Sequence, residues 1–446
     1  MKIFSLKECI LYWNTIPMRT IKKLVFILFC YPLLTLAQQN TISPYSSFGI
    51  GQFQSQGFAL NNDLGGIGAA LRSNKQLNVL NPASISALTL TSFEVGANGV
   101  SLFLKDANFE QESFSSTLGY LSLGFPLAQG VGVSAGLLPF SFKGYQLTQN
   151  TEWTDGIDSL ELNTEYIGSG GLNRAYINLG ATVYEGLSIG FTANVIFGTL
   201  KEQRDLWFEE PNLIDRRDES TYTVNDATLD LGLQYLRTIK GKQLIFGATF
   251  SPQSNLTATN QAAIYTYNTV NNYVYIRDTI SVDETSSQGL LLPMSYAAGL
   301  SLGKENNWFV SGEYEFKEWS QLSLFGEQNL KLQNASQIKL GAWITPNNKD
   351  VHHYWKTIQY RMGLNFNTGY LVASELTIGT AQSKLNDLSL SFGMALPLKR
   401  SNTIVNIGAQ FGKRGAAENN LVEEKYIKFH LAFTFNDKWF TKRKID

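Results

Sequence analysis

Cysteine is almost missing from this chain of 446 residues. There are two, Cys9 and Cys30, both within the first thirty positions. The rest of the chain therefore carries no disulfide framework, no thiolate metal site and no cysteine nucleophile. Net charge is also missing: 36 basic residues meet 37 acidic ones, leaving −1. That balance denies the chain the basic face a nucleic-acid binder needs, so no nucleic-acid partner is expected. Long apolar runs are absent too. The composition is 43% hydrophobic, yet nothing after residue 40 approaches the roughly 18 consecutive apolar residues of a membrane-crossing helix.

The one apolar run that exists lies near the start. Arg19, Lys22 and Lys23 form a short basic region, the stretch from Leu24 to Leu36 is apolar, and Ala37 follows. This is the layout of a cleavable secretory signal, too short to anchor in a bilayer. Cleavage is predicted after Ala37, with residues 1–17 as an upstream extension and Met18 as an alternative start. Leu28 and Phe29 stand where a lipoprotein signal at Cys30 would need small residues.

The mature chain is dominated by two-residue alternation. Leu187, Ile189, Phe191, Ala193 and Val195 are apolar, while Ser188, Gly190, Thr192 and Asn194 are small or polar. Tyr360, Met362, Leu364 and Phe366 alternate with Arg361, Gly363, Asn365 and Asn367, and Ile427 to Phe435 repeats the pattern. Such alternation marks strands whose two faces meet different surroundings. It recurs in fourteen segments: 91–104, 114–126, 130–145, 172–184, 186–201, 225–238, 242–254, 289–303, 306–319, 334–345, 355–367, 387–398, 402–413 and 425–436. Each is about 11–16 residues long, enough to cross a bilayer when tilted and longer than most soluble strands.

The connections between these segments alternate in length. Longer ones are expected at 105–113, 146–171, 202–224, 255–288, 320–333, 368–386 and 414–424. Shorter ones are expected at 127–129, 185, 239–241, 304–305, 346–354 and 399–401. Long loops on one side and short turns on the other are the signature of an outer-membrane barrel. Lipid offers no hydrogen-bond partners, so such a sheet must close. The expectation is an all-β, transmembrane antiparallel barrel of about fourteen strands over 91–436. Residues 437–446 are expected as a periplasmic extension, and outer-membrane lipids of a Gram-negative bacterium are expected to surround the barrel.

Residues 38–90 do not alternate. They hold the cluster Gly65-Gly66-Ile67-Gly68 and the tripeptide Asn81-Pro82-Ala83 just before the first strand. With fourteen strands behind it, this tripeptide resembles the hatch motif of the FadL-like outer-membrane transporters. The stretch Gly168 to Tyr176 and the ending Phe433 to Phe440 are similar to that broad group as well. The resemblance implies an N-terminal hatch folded into the lumen and hydrophobic substrates such as fatty acids or aromatic hydrocarbons.

In the third strand the alternation slips. Val131, Val133, Ala135 and Leu137 are apolar at odd positions, whereas Leu138, Phe140 and Phe142 are apolar at even ones. A one-residue slip exchanges the faces, and Pro139 lacks the N–H a ladder needs, so Leu137-Leu138-Pro139 is expected to form a bulge or kink. The family resemblance implies that a kink here opens the wall sideways; the plainer alternative is that the strand leaves the bilayer at Pro139. Glu313, Glu315 and Arg361 fall on the polar faces of their strands. They are expected to line the lumen, because a cation facing lipid at mid-depth costs about 2–4 kcal/mol.

Motifs of catalysis do not fit their settings. Gly186 to Gly190 spells G-x-S-x-G, but Ser188 lies inside an alternating strand and not on the strand-to-helix turn that chemistry requires. His352 and His353 neighbour Asp350 without a further ligand at metal-site spacing. Ser389 or Ser391 could approach His430 from two strands away. No catalytic residue, metal or cofactor is expected. The leading functional expectation is passive uptake of a hydrophobic solute; the second is an accessory barrel subunit that partners lipoproteins or other outer-membrane proteins in an assembly or secretion complex.

Overall fold

The computed structural model describes residues 41, 43–106, 110–154, 159–208, 213–270, 273–324, 332–371, 385–415 and 422–439. The leader and its two cysteines lie outside the described residues, as does most of the C-terminal extension.

The chain forms a closed antiparallel barrel of fourteen strands. They are β1 (Thr91–Lys105), β2 (Glu110–Ala128), β3 (Val131–Phe142, continued by Tyr145–Thr154), β4 (Ser159–Tyr184), β5 (Leu187–Phe208), β6 (Asp215–Ile239) and β7 (Lys242–Ser251, continued by Ser254–Val270). The second half comprises β8 (Tyr273–Leu292, continued by Ser295–Lys304), β9 (Trp308–Lys317), β10 (Ala335–Ile344), β11 (Gln359–Asn367), β12 (Asp387–Pro397), β13 (Ile404–Arg414) and β14 (Glu423–Asp437). Each strand pairs with its neighbours in sequence, and β14 returns to β1 from Glu423↔Lys105 to Asp437↔Thr91.

The barrel is inside-out relative to a soluble protein. On β5, Ile189 and Phe191 are 45% and 44% exposed, while Thr192 and Asn194 are 1% exposed. Apolar side chains point outward along β8 to β14 too, among them Leu300, Val310, Leu340, Met362, Phe392 and Phe429. Only an apolar surrounding solvent makes that arrangement favourable, because apolar area facing water costs about 25 cal/mol per Å².

Short turns join strands at one end. Lys240 and Gly241 both have positive φ, 49° and 74°, which fits the tight hairpin whose twist matches its strands. At the other end the sequence-based boundaries need correction. Much of 146–171, 202–224 and 255–288, expected as loops, is strand: β4 begins at Ser159, β5 runs to Phe208, β6 starts at Asp215, β7 runs to Val270 and β8 starts at Tyr273. These extensions mix polar and apolar residues without a regular two-residue alternation and carry bulges, such as that between Ile264 and Tyr265 against β8. Where both faces of a ladder meet water, the two-residue signal fades although the hydrogen bonds continue.

Candidate functional site

The segment from residue 41 to 90 packs inside the barrel and fills much of its lumen; it is called the plug below. Its regular pieces are short: a helical turn at Ala59–Asp63, a 3-10 turn at Pro82–Ala87, and the two-residue strand Gln52–Phe53. The wall makes room for it with glycine. A Cβ on Gly190 or Gly232 would collide with the Asn81-Pro82 turn, one on Gly247 with the carbonyl of Ala69, and one on Gly363 with Gly65. Five side-chain-free sites on five strands, Gly393 against Asp63 being the fifth, are thus sockets for the plug.

Asn81, Pro82 and Ala83 sit at the centre of this fit. The Asn81 Oδ1 accepts the Ala83 N–H at 3.0 Å, capping the 3-10 turn, and Pro82 supplies the first turn position where no N–H is needed. The Asn81 Nδ2 donates to the carbonyls of Ala69 (2.7 Å) in the plug and Leu233 (3.2 Å) in β6. One amide therefore ties two plug segments to the wall.

The three lumen charges read from sequence all meet the plug or its supports. The Glu313 carboxylate accepts the backbone N–H groups of Gly68 and Ala69 at 2.8 and 2.7 Å, and receives Lys339 Nζ at 2.9 Å. Glu315 shares that lysine at 2.6 Å. Arg361 donates to Asp63 of the plug at 3.0 Å, to Gln76 at 2.8 Å and to Asn406 at 2.9 Å. The other Asp63 oxygen lies 2.7 Å from His430 Nε2. Asp63 and Arg361 have fully buried side chains, so this is a desolvated cluster with every charge met. His430 is therefore engaged by an aspartate, and Ser389 instead accepts the Gln410 amide at 2.8 Å.

Leu137, Leu138 and Pro139 stand at a break in the wall. Strands β2 and β3 pair from Ala128↔Val131 only as far as Leu121↔Leu137. Beyond that point β2 pairs with β1 alone, while β3 continues against β4 with a register shift between Pro139 and Ser141. The plug strand takes the vacated edge: Phe53 pairs with Ser141 and Gln52 with Phe142. Gln54 N–H donates to Phe140 O at 3.0 Å, Gln56 Nε2 donates to Pro139 O at 3.2 Å, and Phe58 stacks on Tyr120 with centroids 4.2 Å apart.

Next to this break, on the long-strand side of the plug, lies a cavity of about 290 Å³. One wall is aromatic: Phe53 and Trp319 have ring centroids 4.6 Å apart, Trp319 stacks on Tyr370 at 4.8 Å, and Phe140 meets Phe53 edge-on at 5.5 Å. The other wall carries Arg174, which is 9% exposed. Its nearest carboxylate, Asp230, is 3.8 Å away and already receives Asn194 at 2.8 Å. The Arg174 Nε and Nη2 groups have no hydrogen-bond partner among the described residues. Buried guanidinium N–H groups left unmet are costly, which marks them as free to meet an anion. Sequence reading missed Arg174, although it shares the polar face of β4 with Tyr176 and Asn178. Missing too was Asp63, which lies in a segment without periodicity.

The descriptive model of one protein family, BamG, matches residues 20–446. The chain belongs to the BamG family. No functionally curated protein matches it. Among solved structures, it is similar to the monoaromatic hydrocarbon channel CymD, with 14% identity, 88% of this chain and 100% of that one covered, and a TM-score of 0.52. It is similar as well to the Ralstonia pickettii toluene transporter TbuX (14% identity, 86% and 99% covered, TM-score 0.55) and to a Pseudomonas aeruginosa FadL homologue (10%, 84% and 97%, 0.50). At these identities the likeness is one of fold. The FadL-like resemblance drawn from sequence thus holds for architecture, while the family that matches is BamG.

The short-turn end holds a polar connection between β10 and β11. Asp350 there accepts the N–H groups of His352 and His353 at 2.9 and 2.8 Å. These two bonds hold its carboxyl down at about 2, the His353 bond contributing most. No cluster of metal-ligating groups forms among the described residues.

Proposed function

We propose that this chain is an outer-membrane barrel of a Gram-negative bacterium that passively takes a hydrophobic small molecule into its lumen. The solute leaves sideways, between β2 and β3. Fatty acids and aromatic hydrocarbons are the proposed substrate class. The observation that carries the proposal is the adjacency of two features: an aromatic cavity with an unmet guanidinium, and a wall whose ladder stops at Leu121↔Leu137. The Asp63 and Glu313 contacts hold the plug to β9, β11 and β14, so the proposed exit is the seam near Pro139 on the other side. The solved hydrocarbon channels of the same fold agree with this reading.

The test is uptake of octanoate and of toluene into vesicles carrying the protein. Pro139→Val is expected to reduce both severalfold by letting the strand pair regularly. Arg174→Gln is expected to weaken octanoate uptake about tenfold and leave toluene unchanged, because only octanoate presents an oxyanion. Undiminished uptake of both solutes in both variants would remove the proposal.

A second reading, an accessory subunit of an outer-membrane complex, has one observation in its favour. At the outer end of β8, Tyr273, Tyr275, Ile276, Ile280 and Val282 are all more than half exposed. That is an apolar surface beyond the short bilayer-crossing portion, of a kind that marks contact sites. Co-purification of a stoichiometric complex that is lost in an Ile276→Ser, Ile280→Ser variant would favour this reading over transport.

A further inference from the structure

The plug has a second face, toward the short turns, and a second cavity of about 210 Å³ lies against it. The two cavities share no lining residue; this one is lined by Leu71 and Arg72 of the plug, by Gln243 and Lys304 near the turns, and by Trp308 and Trp343. Phe309 completes the aromatic side, stacked on Trp343 with centroids 5.9 Å apart and rings 8° from parallel.

Arg72 is the unusual member. Its Nη1 donates to Ser188 Oγ at 3.3 Å and Gln234 Oε1 at 3.2 Å, and its Nη2 donates to Ser86 Oγ at 3.0 Å. All three acceptors are neutral. Three other cations inside the barrel meet carboxylates within 3.0 Å: Lys339 meets Glu313, Arg361 meets Asp63, and Arg414 meets Asp387. No carboxylate lies within 4 Å of Arg72 among the described residues, although Glu305 lines the same cavity. If Arg72 served only to fasten the plug to β5 and β6, neutral donors would do so without a half-buried charge left unmatched. A fixed fork of donors, in a cavity also lined by Lys304 and by stacked aromatic rings, is suited to an oxyanion joined to a flat apolar body.

We propose that this cavity is a binding site for small aromatic carboxylates, open at the short-turn end and separate from the lumen cavity. The carboxylate lies on Arg72, with Lys304 adding attraction at the mouth, and the ring lies against Phe309 and Trp343. The site does not depend on the transport reading, since the two cavities lie on opposite faces of the plug.

The test is equilibrium titration of the purified full-length protein in detergent with benzoate, read by tryptophan fluorescence. A Trp319→Phe background removes the tryptophan of the lumen cavity, and comparison with a Trp308→Phe, Trp343→Phe variant isolates the signal of the two tryptophans that line this cavity. Benzoate is expected to quench this signal saturably and about tenfold more tightly than benzamide, its neutral counterpart. Arg72→Gln is expected to abolish that preference, Arg72→Lys to keep most of it, and Arg174→Gln to leave it untouched. Equal affinity for benzoate and benzamide in the parent protein would overturn the proposal, with no variant needed. So would benzoate binding unchanged in Arg72→Gln. Displacement of benzoate by inorganic phosphate at equal concentration would also overturn it, showing a general anion site with no use for the aromatic wall. Loss of uptake in the Arg174 variant with benzoate binding intact would leave this site standing.

Discussion

The plug meets the two sides of the barrel by different means. Toward β9–β14 its partners are charges: Asp63 with Arg361 and His430, and the Gly68 and Ala69 amides with Glu313. Toward β2 and β3 they are bonds to backbone and neutral groups: the pairing at Gln52-Phe53, the amide of Gln56, the Lys143 ammonium on the Gly49 carbonyl, Ser46 on Gly144, and a stacked ring pair. The first kind of contact is strong and intolerant of movement; the second can be exchanged for another of equal worth. A plug held firmly on one side and lightly on the other has a natural direction in which to yield. It faces the seam where the ladder between β2 and β3 stops after seven residue pairs, against fifteen between β14 and β1.

Breaking the firm side should produce the largest effect. Arg361→Leu leaves Asp63 buried without its guanidinium, and removal of one member of such a pair costs about 3–5 kcal/mol. A clear fall in the thermal unfolding midpoint is expected, together with easier proteolysis within residues 41–90. An unchanged midpoint would mean that the two sides do not differ as described. On the light side, Tyr120→Phe removes the hydroxyl that accepts the Ala59 N–H at 3.1 Å while keeping the ring stack on Phe58. A loss of about 0.5–1.5 kcal/mol is expected, visible as a small shift in the same melt. A shift as large as that of Arg361→Leu would erase the distinction.

The smallest effect is expected far from both sides, at Asp350. Its carboxyl is held at about 2, below the ordinary aspartate value of about 3.9. A depressed folded value stabilises the turn above the unfolded value and loses that stabilisation as pH falls through about 2. Asp350→Asn should speed amide exchange at His352 and His353 at neutral pH and leave the melt and the plug unaltered.

Much of the barrel is legible in the sequence because its strands separate lipid from lumen, and that difference is written at every second residue. Ile189 and Thr192 need no partner to be placed. The pattern is lost where the difference vanishes, in the extensions of β4 to β8, where polar and apolar residues are not sorted between the two faces. It is silent too wherever a residue's role depends on a distant partner. Asp63 is one aspartate in an irregular segment until β11 and β14 arrive beside it. The Leu137-Leu138-Pro139 slip was visible as a change of phase, but the strand Gln52–Phe53 that occupies the edge beyond it was not. Two extended residues leave no periodic trace.

The separation in sequence between Asp63 and His430 has a consequence for how the molecule is made. The bond joins residues 367 positions apart, and the sockets at Gly363 and Gly393 belong to strands formed late in the chain. The plug, though first among the folded segments, cannot find its full seat until the last strand has come round to β1. Closing the barrel and filling it are therefore one cooperative event dominated by very long-range contacts, a topology that slows folding. A chain that lost β14 would forfeit its plug along with its closure.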